Sequence, residues 1–268
     1  MSISNSLRNV SESVLNYDTI INNVDINYSN THEFFEQRGE GKNLKSIYNY
    51  VMFQDDNPEL VILRDKQEKD KIGSILTWNQ GEKVLDVGCG IARWGKYILE
   101  KGLDYYGIDY SNKLLEIARK NLSSYKIEKH LMLGEFQKIN EVLGKYKIED
   151  SFDKIFINGV LMYINDKDVD LGLQNILGLC SETCEIYIKE SMGIKDRMTL
   201  KNYYSEDLSQ VYSAIYRSID EYTNIIQNVF GKNGFKIVSR GNIFDDKLND
   251  RKETVGYYFV LRRINEDL

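Results

Sequence analysis

From residue 80 onward the chain alternates short apolar runs with amphipathic stretches of helical period, the pattern of a parallel sheet covered by helices on both faces. Seven runs read as strands: "KVLDV" (83–87), "DYYGID" (104–109), "KHLMLG" (129–134), "FDKIFIN" (152–158), "CEIYIKE" (184–190), "FKIVSRG" (235–241) and "VGYYFVLRR" (255–263). Between them "RWGKYILEKG", "SNKLLEIARKNL", "DKDVDLGLQNILGL" and "DEYTNIIQNVFGKNGF" read as helices, with Ser111 and Asp166 as expected caps of two. The last two strands are joined by a loop alone, which predicts an antiparallel hairpin at the sheet edge.

Residues 1–79 lack this alternation. They close on "NPELVILRDKQEKDKIGSIL", a helical run whose Leu60, Leu63, Ile72 and Ile75 are expected to face the sheet. The pattern therefore predicts a helical N-terminal cap over 1–79 and a sheet domain over 80–268. Residues 191–220, dense in tyrosine and charge, interrupt the alternation after the fifth strand. An insertion beyond a strand's carboxyl end is where sheet enzymes place substrate contacts. The fold class expected is α/β: a seven-stranded, mostly parallel, doubly wound (Rossmann-like) sheet with an antiparallel C-terminal hairpin.

Composition narrows the partners. At 268 residues and 42% apolar content the chain can bury one substantial core with an extension. A formal net charge of −6 argues against nucleic acid, whose binders concentrate Lys and Arg, and favours a small-molecule substrate. The start, "MSISNSLRNVSESVLNYDT", has no apolar signal core, and no run is long enough to span a bilayer, so no membrane association and a cytoplasmic location are expected. Cys180 and Cys184 stand four apart without nearby histidine or further cysteine, and no metal site is expected.

The chemistry concentrates in "KVLDVGCGIARWGKYILEKGLDYYGIDYS", residues 83–111. A strand feeding a tight Gly-x-Gly turn lets a ligand approach backbone at Gly88 and Gly90, and Asp109, ending the next strand, is placed to accept two ribose hydroxyls. A dinucleotide fingerprint wants a third glycine where Arg93 stands. Asp86 adds a carboxylate unsuited to pyrophosphate but suited to an ammonium group. A cofactor with ribose, adenine and a cationic amino-acid tail fits these residues better.

These motifs resemble those of class I S-adenosylmethionine-dependent methyltransferases: "VLDVGCG", "GIDYS", "GEF" and "FDKIFINGVLMYI" are similar to the family's first four motifs in order. The resemblance covers residues 80–263 and implies S-adenosyl-L-methionine as cofactor. It implies that Asp86, Gly88 and Gly90 line the methionine moiety, with Arg93 close by, and that Asp109 holds the ribose. It places Tyr110, Glu135 and Phe136 at the adenine, and Asn158 and Gly159 at the methionine tail. The Glu135 position is more commonly aspartate in that family.

For the acceptor, Tyr163 and Glu190 lie beyond the fourth and fifth strands and are the candidate catalytic groups. His32 and His130 lie in the cap and at the start of the third strand. Arg197, Tyr212, Tyr216 and Arg217 offer cations and phenols suited to phosphate or carboxylate. Arg38, Tyr50 and Gln54 are candidate lid contacts. The stretch "RMTLKNYYSEDL…YSAIYRSIDE…RKETVGYYFVLRR" is also faintly similar to methyltransferases of bacterial capsule-biosynthesis clusters, which implies a phosphorylated, sugar-linked or nucleotide-linked acceptor. O- and N-methylation both stay open, as do a protein or RNA substrate and an inactive cofactor-binding partner subunit.

Overall fold

The structure, a computed structural model, describes residues 24–41, 44–205, 208–249 and 251–264. The first 23 residues of the expected cap lie outside them. Among the described residues three helices precede the sheet. In α1 (Tyr28–Glu40) the Asn27 side chain accepts from the Ser29 and Asn30 amides; a short α2 (Asn49–Met52) follows; α3 (Pro58–Ile75) is opened by Asn57, with Pro58 in the first turn, where its missing N–H is not needed.

The alternating part then runs β1 (Lys83–Val87), α4 (Gly95–Glu100), β2 (Asp104–Asp109), α5 (Asn112–Asn121), β3 (Leu131–Leu133), α6 (Ile139–Tyr146), β4 (Phe152–Asn158), α7 (Asp166–Leu177) and β5 (Cys180–Gly193). A hairpin of β6 (Met198–Ser205) and β7 (Gln210–Tyr216) leads to α8 (Ile219–Val229), β8 (Phe235–Asn242) and β9 (Thr254–Arg263). The sheet order is β3-β2-β1-β4-β5-β9-β8, with β9 antiparallel to both β5 and β8 and the remaining pairs parallel. This is the seven-stranded architecture with an antiparallel ending that the pattern predicts.

Both faces of the sheet are covered, which is why the central strands read as continuous apolar runs. Leu85, Val87, Ile155, Ile157, Ile186 and Ile188 pack with residues of α6, α7 and α8. Val84, Phe156 and Tyr187 pack on the other face with Ile72 of α3, Trp94, and Leu115 of α5.

Two local expectations change. The inward face of α3 is Val61, Arg64, Asp65, Glu68 and Ile72, while Leu63 is 52% exposed, so the helix meets the sheet domain through charge as much as through apolar area. Ser111 caps α5 by accepting from the Leu114 amide, but Asp166 is already the first residue of α7 and its carboxylate goes to Arg197 and Arg217. Helix α6, not among the expected helices, buries Ile139, Val142 and Leu143 at helical spacing. Cys180 and Cys184 lie on β5, buried as free thiols.

Gly172 of α7 is a packing glycine: a Cβ there would lie 1.9 Å from Cε1 of Phe136. At an open helix position Gly→Ala stabilises by about 1 kcal/mol. Here overpacking costs about 1–3 kcal/mol, so Gly172→Ala should lower the urea midpoint. A raised midpoint would mean that the Phe136 ring yields without cost.

Candidate functional site

The turn after β1 depends on glycine. Gly88 and Gly90 have φ of +68° and +53°, conformations that side chains resist. The amides of Gly88 and Cys89 donate to the Ile108 carbonyl at 2.8 and 3.0 Å, folding the turn onto β2. Asp109 completes it, its Oδ2 accepting from the Gly90 amide at 2.7 Å and its Oδ1 from the Ser111 amide at 2.8 Å. Each oxygen keeps acceptor capacity beyond these bonds. Burial pushes the Asp109 carboxyl up to about 6. Asp86 lies beneath the turn, accepting from the Tyr105 hydroxyl at 2.8 Å, and burial lifts it to about 7.

The space a side chain would take at these glycines is filled by protein. A Cβ on Gly88 would lie 2.3 Å from Cγ2 of Val160, and one on Gly90 would lie 2.7 Å from Cγ1 of Val51 in α2. Gly159, with φ of +66°, has nothing within 4 Å of such a Cβ. Beside it, the amide oxygen and nitrogen of Asn158 are both buried and unpartnered among the described residues.

Val160 is positioned by an unusual support. Glu190, fully buried, accepts from the Val160 and Leu161 amides at 2.9 Å each and from the Met162 amide at 3.3 Å. Arg217, also fully buried, donates to the Leu161 and Ile164 carbonyls at 2.7 Å and pairs with Asp166 at 2.6 Å. The two candidates for proton transfer and anion binding are thus ties on one turn. Tyr163, on the same turn, joins a chain of phenols: its hydroxyl lies 3.1 Å from that of Tyr212, which accepts from Tyr216 at 3.1 Å.

Above this edge, α1 and the hairpin form an aromatic roof. Phe35 meets Tyr163 and Tyr110 edge-on at ring separations of 5.0 and 5.8 Å, and Phe34 meets Tyr212 at 5.4 Å. The segment leading into α1 is fixed by Asn165, whose Oδ1 accepts from the Ile26 amide at 2.8 Å.

Other candidate residues are engaged internally. Arg93 gives its guanidinium to Asp65 and Glu68 of α3 at 3.0 and 2.6 Å. Arg38 holds Asp55 at 2.6 Å, the Tyr50 hydroxyl donates to the Gly41 carbonyl, and the Gln54 carbonyl accepts from Asn49. Arg197 bridges Asp166 and Glu221. Phe136 packs into the core, and Glu135 pairs with Lys138 at the surface. The structure thus gathers Asp86, Gly88, Gly90, Asp109, Asn158 and Gly159 around one turn, with Tyr163, Tyr212 and Tyr216 under the roof. A surface groove of about 550 Å³ along α8 and the edge strand β8, lined by Phe235, Ile237 and Arg240, contains none of these residues.

Residues 85–185 match the family described as "Methyltransferase domain". That match, to a methyltransferase domain, spans residues 85–185 of the 268. Phosphoethanolamine N-methyltransferase 1 of Arabidopsis thaliana is 28% identical over 158 residues, which are 57% of this chain but only 30% of that protein. Two solved structures share the fold of the methyltransferase domain. Phosphoethanolamine N-methyltransferase 1 of Haemonchus contortus, solved with phosphoethanolamine and S-adenosylhomocysteine, aligns at TM-score 0.64 and 15% identity over 90% of this chain and 49% of its own. The 1,6-didemethyltoxoflavin-N1-methyltransferase of Burkholderia thailandensis aligns at TM-score 0.62 and 13% identity over 92% and 94%. No helix among the described residues is long and apolar enough to cross a membrane.

The residues around the turn would fit S-adenosylmethionine on three counts. Asp109 retains acceptor capacity for a diol, the Asn158 amide is buried with its bonds unmade, and Gly159 opens onto free space.

Burial lifts Glu190 from its ordinary value near 4.5 to about 7. A raised folded-state value means that the stability it contributes is present below about pH 4.5 and lost as pH rises through about 7. Asp86 and Asp109 act in the same direction. Glu190→Gln should therefore flatten the pH dependence of unfolding between about pH 5 and 8, and at high pH should cost about 1–3 kcal/mol through the mismatched amides. An unaltered pH slope in urea unfolding would contradict a titrating Glu190.

Proposed function

We propose that the chain transfers a methyl group from S-adenosylmethionine to an oxygen or nitrogen of a small-molecule acceptor bearing an anionic group such as phosphate, free or linked to a sugar or nucleotide. The observation that carries this reading is the Asp109 carboxylate, held at the end of β2 by two backbone amides and still able to accept from two vicinal hydroxyls. Asp109 would hold the ribose and Tyr110 would flank the adenine. Gly88, Asn158 and Gly159 would take the methionine end. The bound cofactor supplies a methyl group on a sulfonium, reactive toward an aligned nucleophile.

The chain's own contribution is alignment and exclusion of water, since in-line displacement responds above all to geometry. The aromatic roof of Phe34, Phe35 and Tyr212 closes the edge against solvent. An anionic acceptor group is supported by the phenol chain. Three hydroxyls joined by two hydrogen bonds leave one O–H proton without an acceptor in the chain. The names of the Arabidopsis and Haemonchus relatives point to the same chemical class.

Calorimetric titration with S-adenosylhomocysteine tests the cofactor half. Asp109→Ala should weaken binding by about 10- to 150-fold, the equivalent of about 1.5–3 kcal/mol for charge-assisted hydrogen bonds. Because the ionised carboxylate is the accepting form and burial holds it near 6, wild-type affinity should fall as pH drops below that value, by about tenfold per unit. Unchanged affinity in the variant would remove the ribose assignment. Transfer of labelled methyl from S-adenosylmethionine into a size-fractionated cell extract tests the acceptor half, and label confined to macromolecules would overturn the small-molecule reading.

A further inference from the structure

A protonated heteroatom that gains a methyl group must give up its proton, and the groups of this chain that normally accept one are occupied or distant. His130 stacks on Tyr106 at a ring separation of 4.2 Å, at the start of β3. His32, on α1 and half exposed, is engaged with Tyr110, its Nε2 3.1 Å from that residue's carbonyl. Glu190 is filled by three backbone amides, and Tyr163 is bonded to Tyr212.

Lys189 is different. It pairs in register with Asn158, the last residue of β4, and its carbonyl accepts from the Gly159 amide at 2.8 Å. Val87 pairs with Ile157, which brings Gly88 level with Asn158. Strand alternation turns the side chains of Asn158 and Lys189 to the same sheet face and that of Glu190 to the opposite one. Among the described residues, Nζ of Lys189 makes no hydrogen bond or ion pair. Its recorded neighbour is the ring of Phe244, 5.7 Å away, in the loop after β8. Lys189 and Asn158, whose amide is unpartnered, are therefore neighbours across β4 and β5 at the strand ends beside the glycine turn.

We propose that Lys189 accepts the proton released by the methyl acceptor, an assignment that rests on the methyl-transfer reading above. As the acceptor heteroatom bonds to the methyl carbon, the carbon–sulfur bond breaks with its electron pair left on sulfur. The proton on the heteroatom passes to the Lys189 amine, which becomes an ammonium. Asn158 orients the heteroatom. The surroundings favour the neutral amine that this step requires: burial is the main cause that lowers the lysine's pKa, and the guanidinium groups of Arg93 and of Arg64 on α3 add to it. Glu68 on α3 and the neighbouring Glu190 oppose the shift without reversing it.

Two measurements on the full chain decide the matter. Competitive acetylation with acetic anhydride, read by peptide mass spectrometry across pH, should show Lys189 becoming reactive at lower pH than the exposed Lys96, with S-adenosylhomocysteine slowing its labelling. Lys189 titrating with Lys96, or unprotected by that ligand, would overturn the proposal. With phosphoethanolamine as acceptor probe, or failing turnover of it the labelled extract fraction, Lys189→Gln and Lys189→Arg should both lose about 10²- to 10⁴-fold in turnover, the usual contribution of a general base. Their affinity for S-adenosylhomocysteine should be unchanged. Activity retained by Lys189→Arg would replace the proton-transfer role with a purely electrostatic one. Wild-type protein that fails to bind S-adenosylhomocysteine would instead overturn the methyl-transfer reading itself.

Discussion

Two buried charges of opposite sign, held apart by a single turn, set the geometry of the carboxyl edge. The Glu190 carboxylate takes the turn's amides and the Arg217 guanidinium takes its carbonyls. Neither the turn nor the charges could be buried alone. Backbone groups outside a helix or sheet need partners, and an ion removed from water is tolerated only when its hydrogen bonds are complete. Each therefore satisfies the other, and Val160, Tyr163 and Asn158 take their places as a result.

A second buried network makes α3 part of the same construction. Arg93, standing where a dinucleotide turn would carry glycine, reaches back to Asp65 and Glu68, and Glu68 also accepts from Trp94 and Tyr187. The pairing with Arg93 keeps Glu68 below the usual carboxylate range although burial pushes the other way. The residue that departs from the dinucleotide fingerprint is thereby the one that fastens the preceding helix to the turn.

The strands, the glycine turn and Asp109 were legible because each follows a local rule: a period, a backbone angle or a spacing. What stayed hidden depends on distant partners. Glu190 looks like a strand-end acid until its amides, 28 to 30 positions earlier, are folded onto it. Arg217 and Arg197 look like anion-binding cations until both meet Asp166. The stretch after β5, dense in tyrosine, hid a hairpin whose Tyr212 and Tyr216 face inward. Lys189 carries no motif; it is set apart by the bonds it lacks among the described residues.

The strand order also bears on how the chain is built. β9 lies between β5 and β8, although β8 is made first. While residues 254–263 are still inside the ribosome, β5 has an open flank and β8 has nothing to join. A nascent chain at that stage exposes a long unpaired edge of the kind that recruits other strands. That exposure ends when one ten-residue strand slots between two that are already waiting.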